Sequence, residues 1–180
     1  MYNTLPELQI QALQAVTLAV FDVDGVLTDG HLNFLPDGQE VKSFNTLDGL
    51  GIKMLHQAGI KTAIITGRRS PQVEKRAQSL GIHYLYQGRE DKLVALQELW
   101  QATGYSAAQT AYIGDDLPDL AAIRTVAFGA TVNGGHRLSA SMPTGVPPAS
   151  PARAPDGSSA RPCSALRISW SGSTVSICKC

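Results

Sequence analysis

Two aspartates one residue apart, followed by glycine, stand at the head of Asp22-Val23-Asp24-Gly25-Val26-Leu27-Thr28-Asp29-Gly30. The apolar run Leu18–Phe21 precedes them. Both carboxylates are therefore expected at the carboxyl end of a buried strand, the end where open parallel sheets bind ligands. A carboxylate there can attack phosphorus, and a second one two residues on can serve first as general acid and then as general base. Gly25 lets the backbone turn sharply beside them. Two aspartates before a glycine also read as a capped turn, so the motif needs company. Ile64-Ile65-Thr66-Gly67-Arg68 ends a second apolar run with a hydroxyl and a turn, donors that suit phosphoryl oxygens. The same pattern can be a simple helix cap. Lys92 opens a helical stretch after Gly88-Arg89-Glu90-Asp91; alone it reads as a solvated lysine. Tyr112-Ile113-Gly114-Asp115-Asp116-Leu117-Pro118-Asp119 sets an acidic group after another apolar run. Hard oxygen ligands of this kind suit Mg²⁺, whereas Asp116 and Asp119 read equally as acids favoured at a helix start.

The elements that must carry these loops alternate. Short apolar runs at Leu18–Phe21, Thr62–Ile65, Ala111–Ile113 and Val126–Phe128 are separated by helical patterns at Leu47–Gln57, Pro71–Leu80, Asp91–Ala102 and Leu117–Ile123. Repeated strand and helix predict an α/β fold, a Rossmann-like parallel sheet with helices on both faces. Ser70-Pro71 supplies an N-cap with proline at the first helical position, and Gly81 closes that helix. Leu5–Ala15 fits an amphipathic leading helix. One insertion interrupts the alternation: His31–Leu35 and Glu40–Phe44 flank Pro36-Asp37-Gly38-Gln39, a hairpin with turn residues at its tip. It reads equally as a surface hairpin and as an oligomer contact.

Composition narrows the partners. The 180 residues suit one domain, and 15 Lys+Arg balance 15 Asp+Glu. No global basic field therefore points to nucleic acid or an anionic membrane, and no apolar run approaches a membrane span. An anionic substrate needs a local cluster of cations instead. The three cysteines all lie in the last stretch, which suits a reducing cytoplasm for the motif-bearing part.

Aspartate loop, hydroxyl loop, lysine and acidic loop, each after a strand-like run and in this order, resemble the haloacid dehalogenase superfamily. Phe44-Asn45-Thr46-Leu47-Asp48-Gly49 and Gly88-Arg89-Glu90-Asp91-Lys92 are similar to its capless 3-deoxy-D-manno-octulosonate 8-phosphate phosphatase family. The resemblance runs from about Leu18 to Val132. It implies that Asp22 is the nucleophile and a Mg²⁺ ligand. Asp24 would offer its carbonyl to the metal and its side chain as acid and base, and Asp115 would complete the protein ligands. Thr66 and Lys92 would hold the transferring oxygens. It further implies substrate contacts from Asp24, Asn45, Thr46, Leu47, Asp48, Gly49, Lys53, Arg68, Arg76 and Lys92, a small phosphorylated sugar acid as substrate, and a cytoplasmic homotetramer built through the hairpin for lipopolysaccharide precursor synthesis.

The expected division is a phosphatase domain over 1–135, with its hairpin at about 31–44, and a divergent, disordered tail over 136–180. Arg137–Cys180 is rich in Ser, Pro, Ala and Arg and has one acidic residue, Asp156. The family continues there with a Gly-rich loop and a helix. Back-translation of the tail in the neighbouring frame accommodates a similar ending, which points to a reading-frame change near Asn133–His136. Loss of that helix would uncover apolar sheet surface at about 25 cal/mol per Å², so a destabilised protein is expected. Two further readings remain: a phosphatase for another sugar-acid phosphate, and a non-catalytic assembly module.

Overall fold

Five parallel strands form the centre of the chain: β1 (Leu18–Phe21), β4 (Lys61–Thr66), β5 (Tyr84–Gln87), β6 (Thr110–Ile113) and β7 (Phe128–Ala130), in the order β5-β4-β1-β6-β7. This computed structural model describes residues 7–136, 166–171 and 174–179. The helices are α1 (Glu7–Gln14), α2 (Thr46–Gln57), α3 (Pro71–Leu80), α4 (Lys92–Thr103) and α5 (Leu120–Thr125).

Alternation along each strand assigns its side chains to two cores. Ala19, Phe21, Ile64 and Ile113 face Ile52 and Leu55 of α2 and Val73, Ala77 and Leu80 of α3. Leu18, Val20, Ala63, Ile65 and Tyr112 face Ala95, Leu96 and Leu99 of α4 and Ala122 and Ile123 of α5. Both faces of β1 are thus covered and all four of its residues are buried, which is why the run reads as continuously apolar. Each fully buried aliphatic side chain contributes about 1.5–3 kcal/mol. Val16, Ala111 and Phe128, joined by Leu13, seat the end of α1.

Local chemistry sets the helix ends largely as the sequence indicates. Asn45 and Asp91 accept from the backbone N–H groups of Leu47 and Val94 and so cap α2 and α4. Pro71 opens α3 and Gly81 ends it in the left-handed conformation. Three features of the strands over residues 33–130 differ from the sequence reading. β5 was not anticipated: Tyr84-Leu85-Tyr86-Gln87 lacks β-branched residues and is only half-buried, being an edge strand. β7 lies two residues later than Val126–Phe128, because Ala127 N–H bonds back to the Ala107 carbonyl before pairing with β6 begins. The hairpin strands β2 (Asn33–Phe34) and β3 (Glu40–Val41) are two residues each, shorter than expected.

In the tail, Leu166–Ser171 (β8) and Thr174–Lys179 (β9) pair as an antiparallel ribbon, regular structure where the composition offers none. The rest of the expected disordered segment lies outside the described residues. No helix among the described residues is long and apolar enough to cross a membrane.

At the amino-terminal edge of the sheet, His56 Nε2 lies 2.7 Å from Thr62 Oγ1, and His56 meets His83 edge to face at 4.8 Å between ring centroids. Burial first, and then the Lys61 ammonium, depress both imidazoles below their ordinary 6.5. The unfolded chain thus binds protons that the folded chain refuses, and stability falls as pH drops below 6.5. Chemical denaturation at pH 7.5 and 5.5 is expected to show a smaller loss in a His56→Gln/His83→Gln variant than in the parent chain.

Candidate active site

β1 is the point where the connections diverge, with β4 on one side and β6 on the other. The loops after these three strands meet above its carboxyl end, as the switch-point rule requires. Asp22 N–H bonds to the Ile113 carbonyl at 2.9 Å, which fixes the start of the aspartate loop against β6. Thr28 braces the rest: its Oγ1 accepts from the N–H groups of Gly25 at 3.3 Å and Gly30 at 3.2 Å. Arg89 N–H donates to the Thr66 carbonyl at 3.0 Å and ties the lysine loop to the hydroxyl loop.

The result is a cleft of about 420 Å³ whose walls include Asp22, Asp24, Thr66, Lys92 and Asp115. Four segments distant in sequence therefore reach one hollow. Lys92 Nζ lies 2.9 Å from Asp22 Oδ2 and 2.7 Å from Asp119 Oδ1, with all three residues buried. Tyr112 OH donates to the same Asp119 oxygen at 2.8 Å, and the Asp116 N–H donates to the other at 3.3 Å. Asp119 is the residue the sequence reading undervalued. It does close a capping box with Asp116, but it is also the buried counter-charge that aims Lys92. The signal was available in its spacing three residues after Asp116, yet a cap and an ion-pair partner have the same signature.

Burial, aided by the neighbouring Asp119 charge and opposed by Lys92, raises Asp22 from 3.8 to about 7. Asp115 is raised by burial and then by Asp119. Burial alone would depress Lys92; Asp22 and Asp119 outweigh it, and its ammonium is held above the ordinary value. Burial and Asp119 likewise push the Tyr112 phenol up. Two carboxyls raised first by burial and then by the Asp119 charge mark a site short of positive charge.

A divalent cation fits that deficit. Asp22, Asp115 and Asp119 offer oxygens within 4.8 Å of one another. Asp119 already accepts from Lys92, Tyr112 and Asp116, so Asp22 and Asp115 are the side chains suited to an ion. Gly25, at φ +88°, passes so close to Asp115 that an added Cβ would sit 1.9 Å from its Oδ2. Only glycine leaves that carboxylate in place.

Of the contacts carried over by resemblance, the structure brings some to the cleft and uses others beneath it. Arg68 lines the cleft and pairs with Glu40 at 2.8 Å. Asn45 and Thr46 line a separate hollow of about 360 Å³ together with Thr28 and Asp29. Leu47 is exposed, while Asp48 and Gly49 are buried. Arg76 does not line the cleft with Asp22. Its Nη2 donates to the Asn45 carbonyl at 3.0 Å, its guanidinium lies over the Phe44 ring, and it presses against Gly49. Lys53 is exposed on α2 and is not part of that wall either. Lys53 stays exposed although Gly49, one helical turn earlier, is buried.

Known proteins resemble this chain over most of its length. The haloacid dehalogenase-like hydrolase family matches residues 39–126. The 3-deoxy-D-manno-octulosonate 8-phosphate phosphatase KdsC of Yersinia pestis is 43% identical over 137 residues, 76% of this chain and 73% of that protein. The chain belongs to this phosphatase family. A probable YrbI family phosphatase from Pseudomonas syringae pv. phaseolica superposes with a TM-score of 0.73 at 54% identity, covering 74% of this chain and 76% of that one. The 3-deoxy-D-manno-octulosonate 8-phosphate phosphatase of Moraxella catarrhalis, solved with a magnesium ion, a phosphate ion and a KDO molecule, does so at 0.71 and 45% identity, covering 73% of this chain and 75% of that one. The cofactor of this phosphatase is Mg²⁺, in keeping with its acidic cluster.

Burial holds the Asp22 carboxyl up to about 7, so a cation that binds it competes with a proton at lower pH. The rise in Tm on adding Mg²⁺ is expected to be larger at pH 8 than at pH 5.5. Gly25→Ala is expected to abolish most of that rise, measured by calorimetry.

Proposed function

We propose that this chain hydrolyses the phosphate ester of 3-deoxy-D-manno-octulosonate 8-phosphate, releasing the sugar acid and inorganic phosphate through a phospho-aspartate on Asp22. The observation that carries the reading is the contact of Lys92 with Asp22 inside a cleft that also holds Asp24, Thr66 and Asp115. An Asp22 oxygen attacks phosphorus while the bond to the sugar oxygen breaks. Asp24 gives its proton to that departing oxygen, so an alcohol leaves. The Asp24 carboxylate then takes a proton from water as the water oxygen bonds to phosphorus, and the bond to Asp22 breaks. Thr66 and Lys92 hold the phosphoryl oxygens throughout, the alignment and neutralisation on which phosphoryl transfer depends. Asp22, the Asp24 carbonyl and Asp115 would hold Mg²⁺, which supplies charge neutralisation at the phosphoryl group.

In this reading Arg68, which lines the cleft, together with Asn45 and Thr46 receives the sugar-acid end. Asp48, Gly49 and Arg76 support that wall from below, a positioning part rather than direct contact. Leu32, Phe34, Leu35 and Val41 leave an apolar hairpin surface exposed, which supports a homotetramer assembled through the hairpin. The same reading places the protein in the cytoplasm, in lipopolysaccharide precursor synthesis. A purely structural assembly module gains nothing from a lysine buried between two carboxylates, so the enzyme reading is preferred.

Phosphate release from the octulosonate ester with Mg²⁺ tests this. Asp22→Asn is expected to lower the rate by more than about a thousandfold, and chelation of Mg²⁺ to stop it. Equal release by parent and variant would remove the proposal.

A further inference from the structure

Lys42, at the end of the hairpin, plays no part in the chemistry described so far, yet its side chain is only 2% exposed. It reaches from β3 across to the aspartate loop and ion-pairs with Asp24 Oδ1. It also lies 3.5 Å from Glu40, whose other partner is Arg68. Glu40 and Lys42 are two residues apart on an extended segment, so both point to the same side. The hairpin backbone is pinned on that side too, because Gln72 Nε2 of α3 donates to the Glu40 carbonyl at 2.6 Å, and Gln72 is in turn held by Ser70 Oγ at 2.7 Å. A line of alternating charge, Asp24–Lys42–Glu40–Arg68, therefore links the aspartate loop to the hydroxyl loop through two residues, Asp24 and Arg68, that line the cleft.

We infer that Lys42 is a positioning residue for Asp24: it holds Oδ1 and so presents Oδ2 to the leaving oxygen. This rests on the phosphatase reading and adds a part to it. An aspartate side chain on a loop has two free torsions, and a general acid works only within hydrogen-bond reach of the atom it protonates. A cation that pins one oxygen removes that freedom. Burial gives the tie its strength, since an ammonium out of water is strongly held to its paired carboxylate. The hairpin thereby contributes to catalysis within its own chain.

Positioning of an acid matters only when the leaving group needs a proton. An alkoxide such as the sugar oxygen does; p-nitrophenolate does not. The measured quantity is kcat/KM, which covers the steps up to phosphoryl transfer to Asp22 and leaves out hydrolysis of the intermediate. Lys42→Met is expected to lower it for the octulosonate ester by about tenfold to a hundredfold, with p-nitrophenyl phosphate changed by less than about threefold. In an Asp24→Asn background the same substitution is expected to cost nothing further on the sugar ester, because the group it positions is already gone. Lys42→Gln, which keeps a donor in the buried position, carries both comparisons should Lys42→Met not fold. Equal losses on the two esters, no loss on either, or an undiminished loss in the Asp24→Asn background would overturn the assignment. A parent chain that releases phosphate from neither ester with Mg²⁺ would overturn the phosphatase reading itself.

Discussion

A single ammonium buried between two carboxylates organises this molecule. Lys92 stands in the first turn of α4, Asp22 follows β1, and Asp119 lies beyond β6. None of these charges could be withdrawn from water alone, since an unpaired buried ion costs several kcal/mol. Each is tolerable because the other two are present. The sheet brings them together by placing β1 between β4 and β6, and the Tyr112 hydroxyl reaches from inside the strand layer to fix Asp119. The same cluster remains one positive charge short, which is what a divalent cation and a phosphoryl group in transfer require of it.

Around this centre, residues that line the cleft are held in place by others packed against their loops. Thr28 shapes the aspartate loop, Gly25 makes room for Asp115, and Arg76 supports the segment from Asn45 to Gly49 from behind. The hairpin belongs to the second group. Its strands are too short to be stable alone, and it is fixed to the body by Lys42, Glu40 and the Gln72 amide. An insertion without a core of its own thus borrows its order from the cleft it overlooks.

Much of this was legible in sequence for a definite reason. Where a strand is buried on both faces, its run is apolar throughout, and β1, β4 and β6 were all located from that. Helix ends were legible where they depend on a neighbour a few residues away, as at Ser70-Pro71 and Gly81. The edge strand β5 was not, because half-burial leaves no such run. Arg76 and Lys53 illustrate a different limit. Both sit on helices near the relevant loops, yet one guanidinium is committed to a carbonyl inside the wall and the other side chain faces solvent.

The amino-acid sequence by itself determined the chemistry at hand: two aspartates after a buried run, a threonine, a lysine and an acidic loop, in an order that only a parallel α/β sheet brings to one edge. Those features are local, since each depends on residue type and on spacing within a few positions. Tertiary structure alone decided that Lys92 and Tyr112 meet at Asp119, that Arg76 reaches the Asn45 carbonyl, and that Lys42 pairs with Asp24. Such pairings join residues far apart in the chain, and no periodicity or cap encodes which distant charge will occupy a buried position. That choice is made by packing, when elements set by local rules close over the same small volume and every charge inside must find an opposite.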